Sequence, residues 1–257
     1  MRYWFTLFLL CTLSTIHAIQ TRVPFNLLEY ILPPHPIILE AGGHIGQDTK
    51  WMAELWHNGT IHSFEPHYHC FEILKNATIG YPNVALYPIA LSNKSGIVSF
   101  YVDGKQGGAS SLLRPTDDIN NTYFHIDLSK TTTVSCTTID LWAQENNISI
   151  IDFFWIDVEG NELQLLQGAE KILENVRAIY TEVNLRTFWH GCTQYHILKK
   201  WLSQKGFTEV WTDLLKGWNG NVVFVNNAYK HLLSNWKGEK GEIPEESHYL
   251  NHRLKRK

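Results

Sequence analysis

The stretch "ILEAGGHIGQDT", residues 38–49, decides how the rest of the chain is interpreted. An apolar run stops at Glu40, and three glycines follow within five residues, at Gly42, Gly43 and Gly46. Glycine permits a tight turn with positive φ and a close approach to the backbone. In the helix predicted after the turn, the first backbone N–H groups point toward the space above the turn, where a ligand could bind. The stretch therefore predicts a strand, a loop and a helix that hold the polar end of a ligand, with a purely structural turn as the alternative.

The spacing of these glycines disfavours one familiar ligand class. A dinucleotide fingerprint requires the pattern G-x-G-x-x-G. Counted from Gly42, the second and third glycine positions hold His44 and Gln47. The loop is therefore not that of a typical Rossmann oxidoreductase.

Short apolar runs alternate with helical patterns along the chain. The runs cover residues 36–40, 60–64, 84–90, 151–157 and 176–183, and the helical patterns cover 45–56, 71–77, 138–146, 161–174 and 194–204. Repeated strand–helix units predict an α/β fold with a mostly parallel sheet and helices on both faces. The final runs "FTEVWTD" and "NVVFVNN" predict an antiparallel strand pair. Residues 103–135 form the longest segment without a clear pattern.

These patterns divide the chain into one domain, residues 24–230, and a C-terminal tail, residues 231–257. The 257 residues are 44% hydrophobic and 18% charged, which suffices for one large core. The formal net charge of −3 provides no general field for polyanions, so no nucleic acid partner is expected. The oligomeric state is left open.

The first 18 residues, "MRYWFTLFLLCTLSTIHA", have the layout of a secretory leader. Arg2 precedes an apolar stretch that ends near Leu13, and the small Ala18 follows. The stretch is shorter than the ~20 apolar residues that a spanning helix needs. Residues 1–18 are therefore predicted to be a signal peptide or membrane-directing leader, with an uncleaved anchor or a buried helix as alternatives. The protein would then be exported or membrane-associated, and it would be cytoplasmic if the leader does not function.

Glu65 follows the second predicted strand, and Pro66 ends that strand. In an open α/β sheet, ligands bind outside the carboxyl ends of the strands. A carboxylate at this position can accept hydrogen bonds from both hydroxyls of a ribose. Together with the glycine loop, Glu65 predicts a ligand that contains a nucleoside. A role confined to the ligand also predicts that removal of this carboxylate hardly changes folding.

Several stretches, in order, resemble the FkbM family of S-adenosylmethionine-dependent methyltransferases. They include "ILEAGGHIGQDT", "IHSFEPHYHCFEILKNA", "GGASSLL", "IIDFFWIDVEGNELQLLQGAEKIL" and "IYTEVN", and the resemblance runs from about Ile38 to Asn184. It implies a class I methyltransferase sheet of seven strands with S-adenosylmethionine as cofactor. The cofactor-binding set implied by the resemblance is Glu40, Gly42, Gly43, His44, Gly46, Asp48, Thr49, Glu65 and Pro66. His44 stands where the family commonly has Asn.

Three acids after the fourth and fifth predicted strands are candidates for the chemistry. Asp157 and Glu159 lie in "WIDVEGNE", and Glu182 lies in "YTEVN". Methyl transfer requires an acceptor oxygen that is aligned and relieved of its proton, which a carboxylate can do. The alternative for Asp157 and Glu159 is N-terminal capping of the helix predicted at 161–174.

The resemblance places Ser110 and Ser111 near the active site, and His190 follows the fifth strand, so these three residues are the predicted acceptor contacts. The two serines are equally consistent with turn positions beside glycines. No metal site is predicted, because His67 and His69 do not share a helix face and no carboxylate spacing completes a set.

Two hypotheses follow. The first is an O-methyltransferase that acts on a hydroxyl of a sugar, glycan or small metabolite. The second is an exported binding or effector protein that retains the methyltransferase fold without turnover. The leader favours the second, because the cofactor is made in the cytosol, and the retained acids favour the first.

Overall fold

The computed structural model describes residues 25–104, 107–122, 129–214 and 218–236. The predicted leader and residues 237–257 of the predicted tail lie outside these ranges. Within them, every helix is too short or too polar to cross a bilayer.

Ten strands and seven α-helices make up the described chain, together with 3₁₀ helices at Ile172–Asn175 and Lys230–Asn235. The strands are β1 (Ile37–Ala41), β2 (Thr60–Phe64), β3 (Val84–Tyr87), β4 (Ala90–Leu91), β5 (Gly96–Val102), β6 (Lys130–Thr137), β7 (Phe153–Ile156), β8 (Ala178–Asn184), β9 (Phe207–Asp213) and β10 (Asn219–Asn226). The helices are α1 (Phe25–Ile31), α2 (Gln47–Leu55), α3 (Tyr68–Ala77), α4 (Asp117–Thr122), α5 (Ile139–Glu145), α6 (Glu162–Gln167) and α7 (Tyr195–Gln204).

Seven of the strands form the main sheet, in the order β3-β2-β1-β7-β8-β10-β9. The first five are parallel to one another, whereas β10 runs antiparallel to both β8 and β9. Strand order reverses beside β1, so the carboxyl ends of β1, β2, β7 and β8 meet at one edge of the sheet. The predicted fold, a class I methyltransferase sheet with a terminal antiparallel pair, is confirmed.

Each face of the sheet is covered by a separate apolar layer. On one face, Leu28 of α1 and Met52 of α2 pack against Phe153 and Trp155 of β7. On the other face, helices α5, α6 and α7 pack against Phe154 and Ile156 of β7 and against their neighbours on the sheet. Because β7 is buried on both faces, its sequence is an unbroken apolar run.

A small second sheet, β4-β6-β5, was not predicted. The run 84–90 was expected to be one strand, but it divides into β3 and β4 on either side of Pro88, whose nitrogen cannot donate to a strand ladder. The segment 103–135 has no clear sequence pattern, yet its last residues belong to β6, which pairs antiparallel with β5. Most of β6 is exposed and rich in threonine, so it has no apolar alternation.

The helix predicted at 161–174 is shorter than expected. Helix α6 ends at Gln167. The next residue, Gly168, packs so closely against the backbone of Ser92 that a Cβ there would lie 2.1 Å from the Ser92 carbonyl oxygen. The 3₁₀ helix Ile172–Asn175 follows. At its start, the Asp140 carboxylate accepts hydrogen bonds from the backbone N–H groups of Lys171 and Ile172.

Candidate active site

The glycine loop after β1 is held tightly against the ends of β2 and β7. The N–H groups of Gly42 and Gly43 donate to the carbonyl oxygen of Phe64 over 2.9 and 3.0 Å. Gly42 has φ of 91°, and a Cβ there would lie 1.8 Å from the backbone oxygen of Asp157. Only glycine fits this position, since any side chain would strike the end of β7.

Glu40 and Thr49 lie beneath this loop and do not line the cleft. Both are buried, and the Thr49 hydroxyl donates to Glu40 Oε2 over 2.5 Å. Burial raises the pKa of Glu40 to about 7, against hydrogen bonds from Ser63 and Thr49 that lower it. Their position favours an indirect role, in which the carboxylate ties α2 to β1 and so supports the loop.

Glu65 binds the loop as well as facing the cleft. Its Oε2 accepts from the backbone N–H of His44 over 2.8 Å, and its Oε1 accepts from that of His67 over 2.7 Å. Burial raises the pKa of Glu65 to about 7, although these two bonds lower it. A carboxylate has about four acceptor positions, so two remain for a ligand. The expectation that removal of Glu65 hardly changes folding does not fit these bonds.

One cleft gathers most of the predicted site residues. Of the cofactor-binding set, its wall contains Gly42, Gly43, His44, Asp48, Glu65 and Pro66. Asp157, Glu159 and Ser110 also line it, whereas Gly46 lies in the turn that starts α2, with φ of 87°. Residues from the glycine loop, from β2 and from β7 therefore face one space.

The three candidate catalytic acids converge at one side of the cleft. One carboxylate oxygen from each of Asp157, Glu159 and Glu182 lies within 4.8 Å of the other two. Asp157 is open to the cleft, while Glu159 and Glu182 are half-buried. This spacing would also allow one cation to reach all three, which the sequence did not predict.

Desolvation and the neighbouring carboxylates raise the pKa values of these three acids above their ordinary values. The surrounding protein, with a contribution from Asp48, raises the pKa of Asp157 to about 6. Burial first, and then the neighbouring carboxylates, raise the pKa values of Glu159 and Glu182 well above the ordinary value of 4.5. Asn219 partly offsets this for Glu182, because its Nδ2 donates to Glu182 Oε1 over 2.6 Å.

Asp157 and Glu159 do not cap the N-terminus of helix α6. The N-cap residue of α6 is Asn161, with φ of −94°, and Glu162 accepts from the backbone N–H of Gly160 over 2.9 Å. Glu159 instead has a left-handed backbone, with φ of 54°, which directs the chain around the edge of the cleft.

Of the predicted acceptor contacts, Ser110 lines the cleft, whereas Ser111 and His190 do not. Ser110 donates to the carbonyl oxygen of Gly107 over 2.8 Å, and Ser111 donates to that of Glu159 over 2.7 Å. These bonds hold the segment after β5 against the cleft. His190 is exposed and pairs with Arg114 Nη2 over 3.2 Å rather than lining the cleft. Its neighbour Trp189 is fully buried.

Several walls of the cleft were not predicted. The second sheet and the segment after it contribute Leu91, Phe100, Gly108 and Leu112, and Asn161 adds an amide whose Nδ2 donates to the Leu91 carbonyl oxygen. Gly108 and Leu112 lie in the stretch "GGASSLL", whereas Leu91 and Phe100 reach the cleft through the unpredicted sheet. The spacing of the apolar residues in "GIVSFYV" could have indicated strand β5 from the sequence.

Comparisons with known proteins agree with this architecture. The model of the family "Methyltransferase FkbM domain" matches residues 40–209. The 2-O-methyltransferase NoeI of Sinorhizobium fredii (strain NBRC 101917 / NGR234) is 23% identical over 175 residues, which are 66% of this chain and 72% of that protein.

Two solved structures are among those that the chain resembles. Methyltransferase FkbM from Methylobacillus flagellatus KT matches with 13% identity and a TM-score of 0.50, over 74% of this chain and 44% of that one, so this chain spans less than half of its length. Fibrillarin of Aeropyrum pernix, solved with natively bound S-adenosyl-L-methionine, matches with 13% identity and a TM-score of 0.41, over 77% of this chain and 74% of that one. Since the family model covers more than half of the sequence, the chain belongs to the FkbM family of methyltransferases.

Proposed function

We propose that the chain is an S-adenosylmethionine-dependent O-methyltransferase that acts on a hydroxyl of a sugar, glycan or small metabolite. One observation carries the proposal: Asp157 lines the same cleft as Glu65 and lies within 4.8 Å of Glu159 and Glu182. The part of the site around Glu65, where the cofactor would bind, is therefore contiguous with the three acids. Family membership supports methyl transfer, and a 2-O-methyltransferase among the relatives supports oxygen as the methylated atom.

The residues of the cleft fit the cofactor. Glu65 keeps two free acceptor positions toward the cleft, which suits the paired hydroxyls of a ribose. Asp48 and Asp157 supply negative charge beside the glycine loop, which suits a cationic ligand. When bound, S-adenosylmethionine supplies a methyl group on a positively charged sulfur.

The acids then act on the acceptor. A general base is most effective when its pKa lies near the working pH, and that of Asp157 is about 6. Asp157 is therefore largely ionised at neutral pH and is suited to hold or remove the hydroxyl proton. Glu159 and Glu182, whose pKa values burial and the neighbouring carboxylates raise well above 4.5, are suited to orient the hydroxyl. A polar wall of this kind also suits an acceptor with several hydroxyls.

Calorimetry with S-adenosylmethionine and the purified chain tests the cofactor, and transfer of a labelled methyl group to a panel of glycosides, glycans and hydroxylated metabolites tests the reaction. We expect binding together with transfer to oxygen. Absence of binding would remove the proposal. Binding without transfer to any acceptor would favour a binding or effector protein that retains the fold.

A further inference from the structure

A row of polar side chains continues from Asp157 across the second half of the main sheet. The register of β7 with β8 places Asp157, one residue beyond Ile156, beside Glu182. In the antiparallel ladders, Glu182 lies opposite Asn221, and Asn221 lies opposite Asp213. Side chains at matching positions of neighbouring strands share a face, so these four form one row. With strands about 4.8 Å apart, the row spans roughly 14 Å from β7 to β9.

This polar row is open to solvent and joins the cleft. It lies on the face of the sheet that α1 and α2 cover, where Trp211, two residues before Asp213, belongs to the buried layer. Glu182, Asn221 and Asp213 are themselves half-buried, so solvent reaches each of them. Asp157 is exposed and also lines the cleft. An acceptor held at Asp157 can therefore extend along the row.

The outer part of the polar row contains groups that the protein itself does not use. The amide of Asn221 and the carboxyl group of Asp213 form no hydrogen bond or ion pair with any residue that the structure describes. Asp213 ends β9, and Asn221 lies near the start of β10, so both are at the carboxyl edge of the sheet. Both side chains are therefore available to a ligand that reaches this edge from Asp157.

A buried hydroxyl forms the floor of the polar row. Tyr180 precedes Glu182 on the same face of β8, is 7% exposed and stacks on Trp155 with ring centroids 3.9 Å apart. Its hydroxyl has no hydrogen-bond partner in the described ranges of the chain. Burial raises the pKa of Tyr180, and four acids raise it further: Asp157, Asp48, Glu182 and Asp213. Since buried polar groups usually have a partner, a hydroxyl left unpaired among these acids points to a ligand above it.

The mixture of donors and acceptors decides which ligand fits. A carboxylate accepts hydrogen bonds, an amide donates and accepts, and a phenol donates. A chain of ammonium groups would leave the hydrogens of Asn221 and Tyr180 without an acceptor. Hydroxyls both donate and accept, so they can pair with all three kinds of group.

The row is also longer than one sugar ring. We propose that the acceptor is an oligosaccharide, whose methylated unit lies at Asp157 and whose next unit binds Asn221, Asp213 and the hydroxyl of Tyr180. This inference rests on the proposed function and narrows its acceptor class.

Methyl transfer to matched saccharides of one and three units tests the inference. The pairs are methyl α-D-glucopyranoside with maltotriose, methyl α-D-mannopyranoside with mannotriose, and methyl β-D-galactopyranoside with galactotriose. For whichever sugar the parent methylates, kcat/KM should be about tenfold or more higher for the trisaccharide, because the second unit adds hydrogen bonds.

Asn221→Ala, Asp213→Ala and Tyr180→Phe each remove one contact of the second unit. Each should raise the KM for the trisaccharide by about three- to tenfold and that for the methyl glycoside by less than about twofold. The melting temperature should stay within about 2 °C of the parent, because none of the three groups has a hydrogen-bond partner among the described residues. Asn226→Ala, at the other end of β10, is the matched control, since Asn226 Nδ2 donates to the carbonyl oxygen of Val176 over 3.1 Å. It should lower the melting temperature and leave both KM values unchanged.

Equal kcat/KM for the two saccharides, with all three variants like the parent, would overturn the oligosaccharide while methyl transfer stands. Transfer only to hydroxylated metabolites that are not sugars would overturn it in the same way. Inhibition of the parent by spermine that Asp213→Ala relieves would overturn it in favour of a cationic chain. A parent that methylates no hydroxyl compound would remove the proposed function, and this inference with it.

Discussion

The backbone N–H of His44 donates to Oε2 of Glu65 over 2.8 Å, so the loop after β1 is fastened to the end of β2 by a side chain that also faces the cleft. His44 adopts a left-handed backbone, with φ of 45°, at the point where this bond forms. Under the proposed function, cofactor binding and loop conformation depend on the same carboxylate, so one substitution should impair both.

Glu65→Ala should weaken S-adenosylmethionine binding by about 2–4 kcal/mol, from two lost bonds to a charged group. It should also lower the free energy of unfolding by about 2–4 kcal/mol, because the N–H groups of His44 and His67 lose their acceptor. Calorimetry and urea denaturation measure the two quantities. Glu72→Ala, on the adjacent helix α3, is the control. A Glu65→Ala protein of unchanged stability would contradict the structural role of this carboxylate.

Gly42→Ala should destabilise the fold by roughly 2–5 kcal/mol, since it combines a left-handed backbone with a clash against the Asp157 carbonyl oxygen. Gly191→Ala separates the two causes. Gly191 has φ of 85° but open space where a Cβ would lie, so only the backbone cost of about 1–2 kcal/mol applies. Equal losses of unfolding free energy in the two variants would mean that the close approach to β7 costs nothing.

The free energy of unfolding should depend on pH, because burial raises the pKa values of acids in the folded state. Burial raises the pKa of Glu162 from 4.5 to about 7. The folded state then binds this proton more tightly than the unfolded state, so stability falls as pH rises from about 4.5 through 7. Glu162→Gln should flatten that fall by up to ~1.4 kcal/mol per pH unit. Urea denaturation between pH 4.5 and 8 measures it.

One histidine acts in the opposite direction over part of this range. Burial lowers the pKa of His62 from 6.5 to about 4, so protonation of the unfolded state reduces stability as pH falls below 6.5. Because His62 is present in both proteins, its contribution cancels in the difference between Glu162→Gln and the parent. Parallel curves for the two proteins would show that Glu162 does not hold its proton more tightly in the folded state.

How far the sequence predicts the molecule depends on the kind of interaction involved. Strand β2 was predicted over its full length, 60–64, because buried parallel strands leave an apolar run that ends in a polar residue. Strand β6 was missed, because its threonines face solvent on a half-exposed sheet. The second role of Glu65 was missed for another reason: its partners are backbone N–H groups, which no side-chain pattern records. Glu182 and Asn221 meet only through the register of β8 and β10.

The N-terminal leader remains a prediction. Because Arg2, an apolar stretch and Ala18 follow one another in order, we expect cleavage after Ala18 and delivery to or across a membrane. Mass spectrometry of the native protein, combined with fractionation of the cells that make it, measures both. A soluble cytosolic chain that begins at Met1 would refute the leader.

Asp157→Asn, Glu159→Gln and Glu182→Gln test the chemistry, because each removes a charge and keeps the shape of the side chain. S-adenosylmethionine binding should stay within a few-fold. Turnover should fall by ~10²–10⁴ for the residue that serves as base, since that is the usual worth of general-base assistance. Asp157 is the first candidate, because it is open to the cleft and its pKa of about 6 leaves it ionised at neutral pH.

Glu162→Gln is the matched control for these three variants. Glu162 is more deeply buried than the three acids and follows Asp157 and Glu159 closely in the chain. It accepts from the Gly160 N–H instead of lining the cleft, and an amide oxygen can still accept that bond. Its turnover should therefore remain close to that of the parent. If all three acid variants turned over like Glu162→Gln, the acids would serve only the fold. If only Glu182→Gln were impaired, through a higher KM for the acceptor, Glu182 would orient the hydroxyl without removing its proton.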